Sequence, residues 1–397
     1  MNAGAFVTQS WALLVDAYRE LNSRKLFWVT LAISLLVVIA FGAIGLNDKG
    51  MTVLGWQFET EPLTAKLLSP ARFYLFLFAT FAVPIWLTWL ASILALISTA
   101  SIFPDFLAGG AIELSLARPI SRLRLFAVKY ACGLLFVALQ VALFSLACFV
   151  VVGIRGGSWE PRMFLAVPVV VLFFSYLFSF CTLFGVLTRS TIASILLTLL
   201  VWLTLWGVNT TGNVFLTLRE SATVSAERTA RKVTRLEESG RRRMAEMEAG
   251  KEPVPGIADT PLPAGAADSL EALVPALGKA RADAREAAAS LAGWRRGTTI
   301  VDVIKGALPK TEETIALLDR WMLTAADKRP FGGDDAPAHD APAHDAPLPF
   351  GAVDREVMDR VEKAVRSRSL GWVLGTSCLA EAAIFGLAAW LFCRRDF

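Results

Sequence analysis

The chain has 397 residues, 55% of them apolar and only 19% charged, with a mean hydropathy of +0.53. That is too apolar for a soluble enzyme of this length, so part of its solvent is lipid. The formal charge of +4 does not indicate nucleic acid, because the excess Lys and Arg flank apolar runs and no basic stripe carries interleaved aromatics.

Residues 1–25 place Phe6, Leu13, Leu14, Ala17 and Leu21 on one helical face, with Gln9, Asp16, Arg19 and Glu20 elsewhere. This pattern predicts an amphipathic helix lying in the membrane interface. Six apolar stretches come next, each about long enough to cross a bilayer as a helix. They run from Leu26 to Leu46, Phe73 to Phe103, Phe126 to Ile154, Phe164 to Leu187, Thr191 to Val208 and Leu370 to Phe392. Pro84 and Pro168 remove a backbone donor each and predict kinks in the second and fourth. The first run starts too late and is too long for a cleaved signal core, so it is expected to remain as a helix. Five cysteines, Cys132, Cys148, Cys181, Cys378 and Cys393, all lie in or at the ends of apolar runs and show neither disulfide nor zinc spacing.

Short-loop Lys and Arg set the orientation. Arg19, Arg24, Lys25, Arg118, Arg122, Arg124, Lys129, Arg189, Arg394 and Arg395 share one side, which is expected to be cytoplasmic. Both termini are then cytoplasmic, with a short tail at 394–397, and the polar stretch 209–369 is extracytoplasmic. The expected fold is all-α: a polytopic membrane protein with five transmembrane helices in 26–208, a mostly helical insert at 209–369 and a sixth transmembrane helix at 370–393.

The insert opens with a charged helical run from Leu218 to Met247 that can continue the fifth helix. A second pattern uses Leu270, Leu273, Leu277, Ala284, Leu291 and Trp294. A third spans Thr311 to Met322, with Pro309 before it, Glu312 and Glu313 at its start and Ile315, Leu318 and Met322 on one face. A fourth runs through Val353, Val357, Val361 and Val365. Residues 327–351 form a Pro/Ala-rich linker with a repeated Asp-Ala-Pro-Ala-His, and the chain's two histidines, His339 and His344, read as solvated linker rather than metal ligands. No metal site is expected.

The sequence has no Gly-x-x-x-x-Gly-Lys phosphate loop, no His-Glu-x-x-His and no Gly-x-Ser-x-Gly, which argues against an enzyme. Glu381 is the one ionisable side chain deep in a span, and a carboxylate there is costly unless paired, protonated or wet. It is expected to face the bundle interior, against Gln140 of the third span or Ser175, Tyr176, Ser179 and Thr182 of the fourth. Substrate contact, proton contact, a gating hydrogen bond and a structural tie between helices all remain open for it.

The loop 103–125 between the second and third spans is more patterned than a connection requires. It has an acidic start at Asp105, the pair Gly109-Gly110, a short amphipathic segment through Ile112, Leu114 and Leu116, then Arg118-Pro119-Ile120-Ser121-Arg122. With Lys129 and Gly133 opening the next span, this run resembles the cytoplasmic loop of type-2 ABC transporter permeases. Asp105, Gly110, Glu113, Arg118, Pro119, Ser121, Arg122 and Lys129 carry the likeness; Ala111 and Ala127-Val128 depart from it.

The resemblance implies the permease subunit of an ATP-driven transporter, docking a partner ATPase through this coupling loop and pairing with a second permease copy in the cytoplasmic (inner) membrane. It implies export, with ATP and magnesium on the partner and no cofactor bound by this chain. The large insert departs from the family pattern. Its size keeps two alternatives open: an ABC-type mechanotransmission protein acting on an envelope partner through its outer domain, and a membrane scaffold without an ATPase.

Overall fold

A computed structural model describes residues 25–47, 50–53, 56–58, 69–108, 121–248, 274–323 and 355–394, with the single residue Val15. The amphipathic helix expected over 1–25 and the linker at 327–351 lie outside these residues, as do His339 and His344.

The first helix, α1 (Lys25–Ala43), buries Phe27, Val38 and Phe41 and exposes Trp28, Leu35, Leu36 and Ile39. Its apolar part, Phe27–Ala43, is shorter than the other candidate spans. Beyond Ala43 the chain turns from helix to strand. β1 (Ile44–Asn47), β2 (Gly50–Val53) and β3 (Trp56–Phe58) form an antiparallel sheet in the order β1-β2-β3, with Ile44 opposite Val53, Asn47 opposite Gly50 and Met51 opposite Phe58. The all-α reading missed this sheet, whose strands are only three or four residues long and carry Ile, Thr, Val, Trp and Phe, which suit a half-buried pleated surface. Tertiary contacts hold it: the Tyr74 hydroxyl donates to the Ile44 carbonyl at 2.6 Å, and Arg155 Nε donates to the Tyr74 oxygen at 3.0 Å.

Among the described residues, five helices are long and apolar enough to cross a membrane. The first, α2 (Pro70–Leu107), begins with Pro70 behind an extended Ser69 and widens into π-helical turns over Phe78–Ala91. Pro84 lies inside that stretch, and the widened turns accommodate its missing N–H. Nearby, Thr88 Oγ1 donates to the Val83 carbonyl at 3.0 Å and Ser92 Oγ to the Leu87 carbonyl at 2.9 Å, each five residues back.

Next, α3 (Arg122–Val151) is capped by Ser121, whose side chain accepts from the Arg124 amide; it runs on into a π turn at Val152–Gly156 and stops at Gly157, φ 69°. A 3-10 turn at Pro161–Leu165 leads into α4 (Ala166–Thr188), the most completely buried span. Pro168 falls in the first turn of α4, where its N–H is not needed, so the kink expected there has no cause. Arg189 ends α4 in the left-handed conformation, φ 54°, which turns the chain within two residues into α5 (Thr191–Glu248). The charged run after the fifth span does continue the same helix, over 58 residues. The remaining helices are α6 (Ala276–Ala307), α7 (Thr311–Met322), α8 (Arg355–Arg366) and α9 (Thr376–Arg394), the last preceded by a π turn at Gly371–Gly375.

The chain divides into two compact units. One, the bundle, contains α1, the sheet, α2 to α4, α5 as far as Gly207, α7 and α9. Its core is aromatic: Phe78, Phe173, Phe174, Phe178 and Phe126 are almost wholly buried. The other contains α5 from Val208, α6 and α8. There Phe215 meets Trp294 edge-on at 5.6 Å and lies against Gly297, where an added Cβ would stand 2.7 Å from its ring. Ion pairs supply the rest: Arg360 is bidentate on Glu227 at 2.8 and 2.7 Å, Arg228 meets Glu356 at 3.0 Å and Arg281 meets Glu237 at 2.7 Å.

The insert at 209–369 is therefore not one body. Its third helical pattern, α7, belongs to the bundle, where Ile315, Leu318 and Met322 join the hydrophobic core and Thr311, Glu313, Thr314 and Leu317 are buried as well.

Candidate functional site

A polar seam follows α9 through the bundle. At its centre, Glu381 Oε1 accepts a 2.9 Å hydrogen bond from the Tyr130 hydroxyl of α3, which also lies 3.1 Å from the Ser175 carbonyl of α4. Tyr130 is fixed from two sides: it stacks on Phe178 at 5.0 Å and meets Phe385 edge-on at 4.7 Å. The Ser175 side chain, beside this group, donates to the Leu172 carbonyl of its own helix at 2.8 Å. Three helices thus meet at one carboxyl group.

Towards the start of α9 the seam continues through Cys378, Ser377 and Thr376. The Tyr176 hydroxyl is buried near Thr314, Ser377 and Cys378 and has no hydrogen-bond partner among the described residues. Beyond them is Lys310, 1% exposed, whose backbone amide donates to Ser377 Oγ at 2.9 Å and whose ammonium donates to Thr376 Oγ1 and sits 4.2 Å from the Trp372 ring centroid. A buried ammonium needs such compensation, since a π face and a hydroxyl replace the water it gives up. Thr376 and Glu381 are five residues apart, about 7.5 Å along a helix and roughly 140° around it, so α9 carries a cation's partner and a carboxyl less than two turns apart, with Ser377, four residues before Glu381, on the carboxyl's own face.

Glu381 turns towards the bundle, as expected, but its hydrogen-bond partner is Tyr130; of the expected partners Ser175 contributes a carbonyl beside Tyr130 and Tyr176 lies further along the seam. Ser179 and Thr182, like Ser175, donate to carbonyls of their own helix, Tyr176 and Phe178, at 2.7 Å each. Gln140 lies apart, on a cavity between α1, α2 and α3. Sequence reasoning missed Tyr130 and Lys310. The signal for Tyr130 was its scarcity: among 26 Phe and 4 Tyr, a hydroxylated ring inside an apolar span marks a place where the hydroxyl is needed. Lys310 was legible only as the residue after Pro309.

The loop residues fall into two groups. Gly110, Glu113, Arg118 and Pro119 lie outside the described residues. Asp105, Ser121, Arg122 and Lys129 sit on the loop's flanks, and the structure brings Arg122 and Lys129 to the far end of α9 or its neighbours. Arg122 Nη1 donates to the Cys393 carbonyl at 3.2 Å, in the last turn of α9, where a cation also complements the helix dipole. Lys129 lies over Phe106 at 5.3 Å, and Phe106 stacks on Phe392 at 6.3 Å. Phe126 links Phe103 and Phe392, at 4.9 and 5.4 Å. Asp105 is exposed near the end of α2, and exposed Ser121 serves as the cap of α3.

No family model matches the chain, and no curated protein or solved structure matches it.

Proposed function

We propose that the chain is the membrane-spanning permease subunit of an ATP-driven ABC transporter of the type-2 class, working as a pair of permeases with a separate ATPase. In this reading α1 is the first of six spans, both termini and the loop 103–125 are cytoplasmic, and the polar residues 209–369 begin outside the membrane. The protein resides in a bacterial-type inner membrane and exports its substrate; ATP and magnesium belong to the partner.

The observation that carries the reading is the clasp of Arg122 on the Cys393 carbonyl, with Lys129, Phe106 and Phe392 packed beside it. Residues of the loop pattern hold the same helix that bears Glu381. A displacement of the loop by a closing ATPase would pull on α9 and so on the seam, which is the differential coupling between two states that such a machine needs.

The test is co-purification from native membranes in mild detergent. A stoichiometric ATP-binding subunit is expected, and Glu113→Arg or Arg122→Glu should weaken its association while the chain still inserts. Absence of any such subunit after gentle crosslinking rejects the proposal and brings the scaffold reading forward.

One feature favours mechanotransmission as a second reading. Helix α7, between the polar helices α6 and α8 in the sequence, is built into the bundle against the first turn of α9. Movement of the seam and movement of the insert are then linked through Lys310.

A further inference from the structure

Gln140 stands in the middle of α3, 7% exposed, and its amide Nε2 has no hydrogen-bond partner among the described residues. It lines a small, partly open cavity with Thr30 and Ser34 of α1 and Ser92 of α2, and its apolar walls include Val137 and Val170. All six of these residues are buried, and the room left between them is on the scale of one water molecule. The expected role for Gln140 as a partner of Glu381 does not use this cavity.

We infer that the cavity is a binding site for a single water molecule, bridging Gln140 and Ser92. The hydrogen-bond inventory decides the ligand. Ser92 commits its own proton to the Leu87 carbonyl, so its oxygen offers lone pairs and needs a donor. Gln140 Nε2 offers a proton and needs an acceptor. A water both accepts from the amide and donates to the hydroxyl, and the hydroxyls of Ser34 and Thr30 on the same wall bring it to the two to four polar partners that buried waters have.

A monovalent cation fits less well, since no carboxylate lines the cavity to balance its charge in a low-dielectric setting. An amphoteric ligand also satisfies the amide whichever way its oxygen and nitrogen are turned, whereas an ion satisfies only one orientation. Any organic ligand is too large.

The position gives the water a consequence. Ser92 comes directly after the π-helical stretch Phe78–Ala91, so the water joins the end of the widened segment of α2 to α3, with α1 alongside. A bridging water exchanges partners readily, which lets the three helices shift against one another without stranding a polar group. This inference is independent of the transport reading.

The test is water-edited solid-state NMR on the full-length chain in lipid vesicles, with 15N in the glutamine side chains and the Gln140 signal assigned by its loss in Gln140→Leu. Should Gln140→Leu fail to accumulate, Gln140→Met, closer in shape, serves for assignment. Rapid polarisation of the Gln140 Nε2 signal from water protons is expected, and Ser92→Ala should slow it at least about twofold by removing one of the water's partners. A Gln140 signal that receives polarisation from lipid or protein protons but not from water overturns the site, and so does a transfer rate unaffected by Ser92→Ala.

Discussion

The bundle and the second unit are both helical, yet different forces hold them. In the bundle, the core aromatic side chains such as Phe78, Phe174 and Phe178 are buried almost completely, and two charged groups inside have named partners: Lys310 has Thr376 and Trp372, Glu381 has Tyr130. In the second unit the contacts are a few apolar residues such as Phe215, Trp294 and Val357, with charge pairs on the surface between α5, α6 and α8. A group exchanged in the bundle therefore changes a low-dielectric site, where pairing matters most. At the surface ion pairs of the second unit the same exchange is screened by water and salt.

The largest effect that tests this contrast is expected at α7. Leu318 is 1% exposed in the core, and Leu318→Asp places a carboxylate there without a partner, a change in the class that costs ~4 kcal/mol or more. Proteolysis of α7, otherwise protected, should appear in this variant; a protease-resistant α7 would mean that it does not dock in the bundle. Leu318→Ala is the milder form, at roughly 2–5 kcal/mol, with loss of heat stability in detergent as the readout.

Tyr130→Phe comes next. It keeps the stacking on Phe178 and removes only the proton donated to Glu381, so about 1–3 kcal/mol is expected from leaving a buried acceptor unmatched. The double variant Tyr130→Phe with Glu381→Leu should recover part of the loss, because both partners are then apolar. No recovery would show that the pair does not interact in the membrane.

The two regions were also unequally legible in the sequence. Apolar runs marked the spans because a bilayer imposes length and excludes charge, and those constraints act on a single stretch at a time. The continuation of α5 and the helix Thr311–Met322 came from the same kind of local periodicity. What could not be read was where α7 goes. Its amphipathic spacing at Ile315, Leu318 and Met322 demands a cover but does not name one, and the burial of Thr314 and Glu313 depends on helices far away in sequence. The sheet after α1 was lost for a related reason: strands of three or four residues have too few alternations to register against noise, and Tyr74 and Arg155, which secure them, are distant in sequence. For the seam, a lone carboxyl in an apolar run was enough to mark Glu381. Its partner Tyr130 needed the register of α3 against α9.

In the second unit, substitutions should be milder and depend on salt. Arg360 holds Glu227 with both nitrogens and Glu356 with one, so Arg360→Met removes the centre of the largest charge cluster there. A small drop in the protection of α8 amides against hydrogen exchange is expected, and raising the salt concentration should produce much of the same drop in the unaltered chain. If α8 in the unaltered chain ignores salt, Val357 and not the ion pairs holds it.

The smallest effect is that of acid. The Arg228 guanidinium hydrogen-bonded to Glu356 holds its carboxyl below the usual carboxylate range, with Arg360 adding to the effect. A carboxyl whose folded-state pKa is depressed stabilises the fold above its unfolded pKa, about 4.3, and that contribution fades as pH falls through the lower folded value. Amides of α8 should therefore lose protection on acidification below about pH 4.3, and Glu356→Gln should remove part of that pH dependence while changing little at pH 7. Glu381 offers a control in the bundle: Glu381→Gln leaves the Arg228 pair untouched, so the response of α8 to acid should be the same with and without it. An α8 acid response that vanished with Glu381→Gln would mean that protonation in the seam, and not at Glu356, governs the second unit, and the contrast between screened surface charge and matched buried charge would fail at the point where it is most open to measurement.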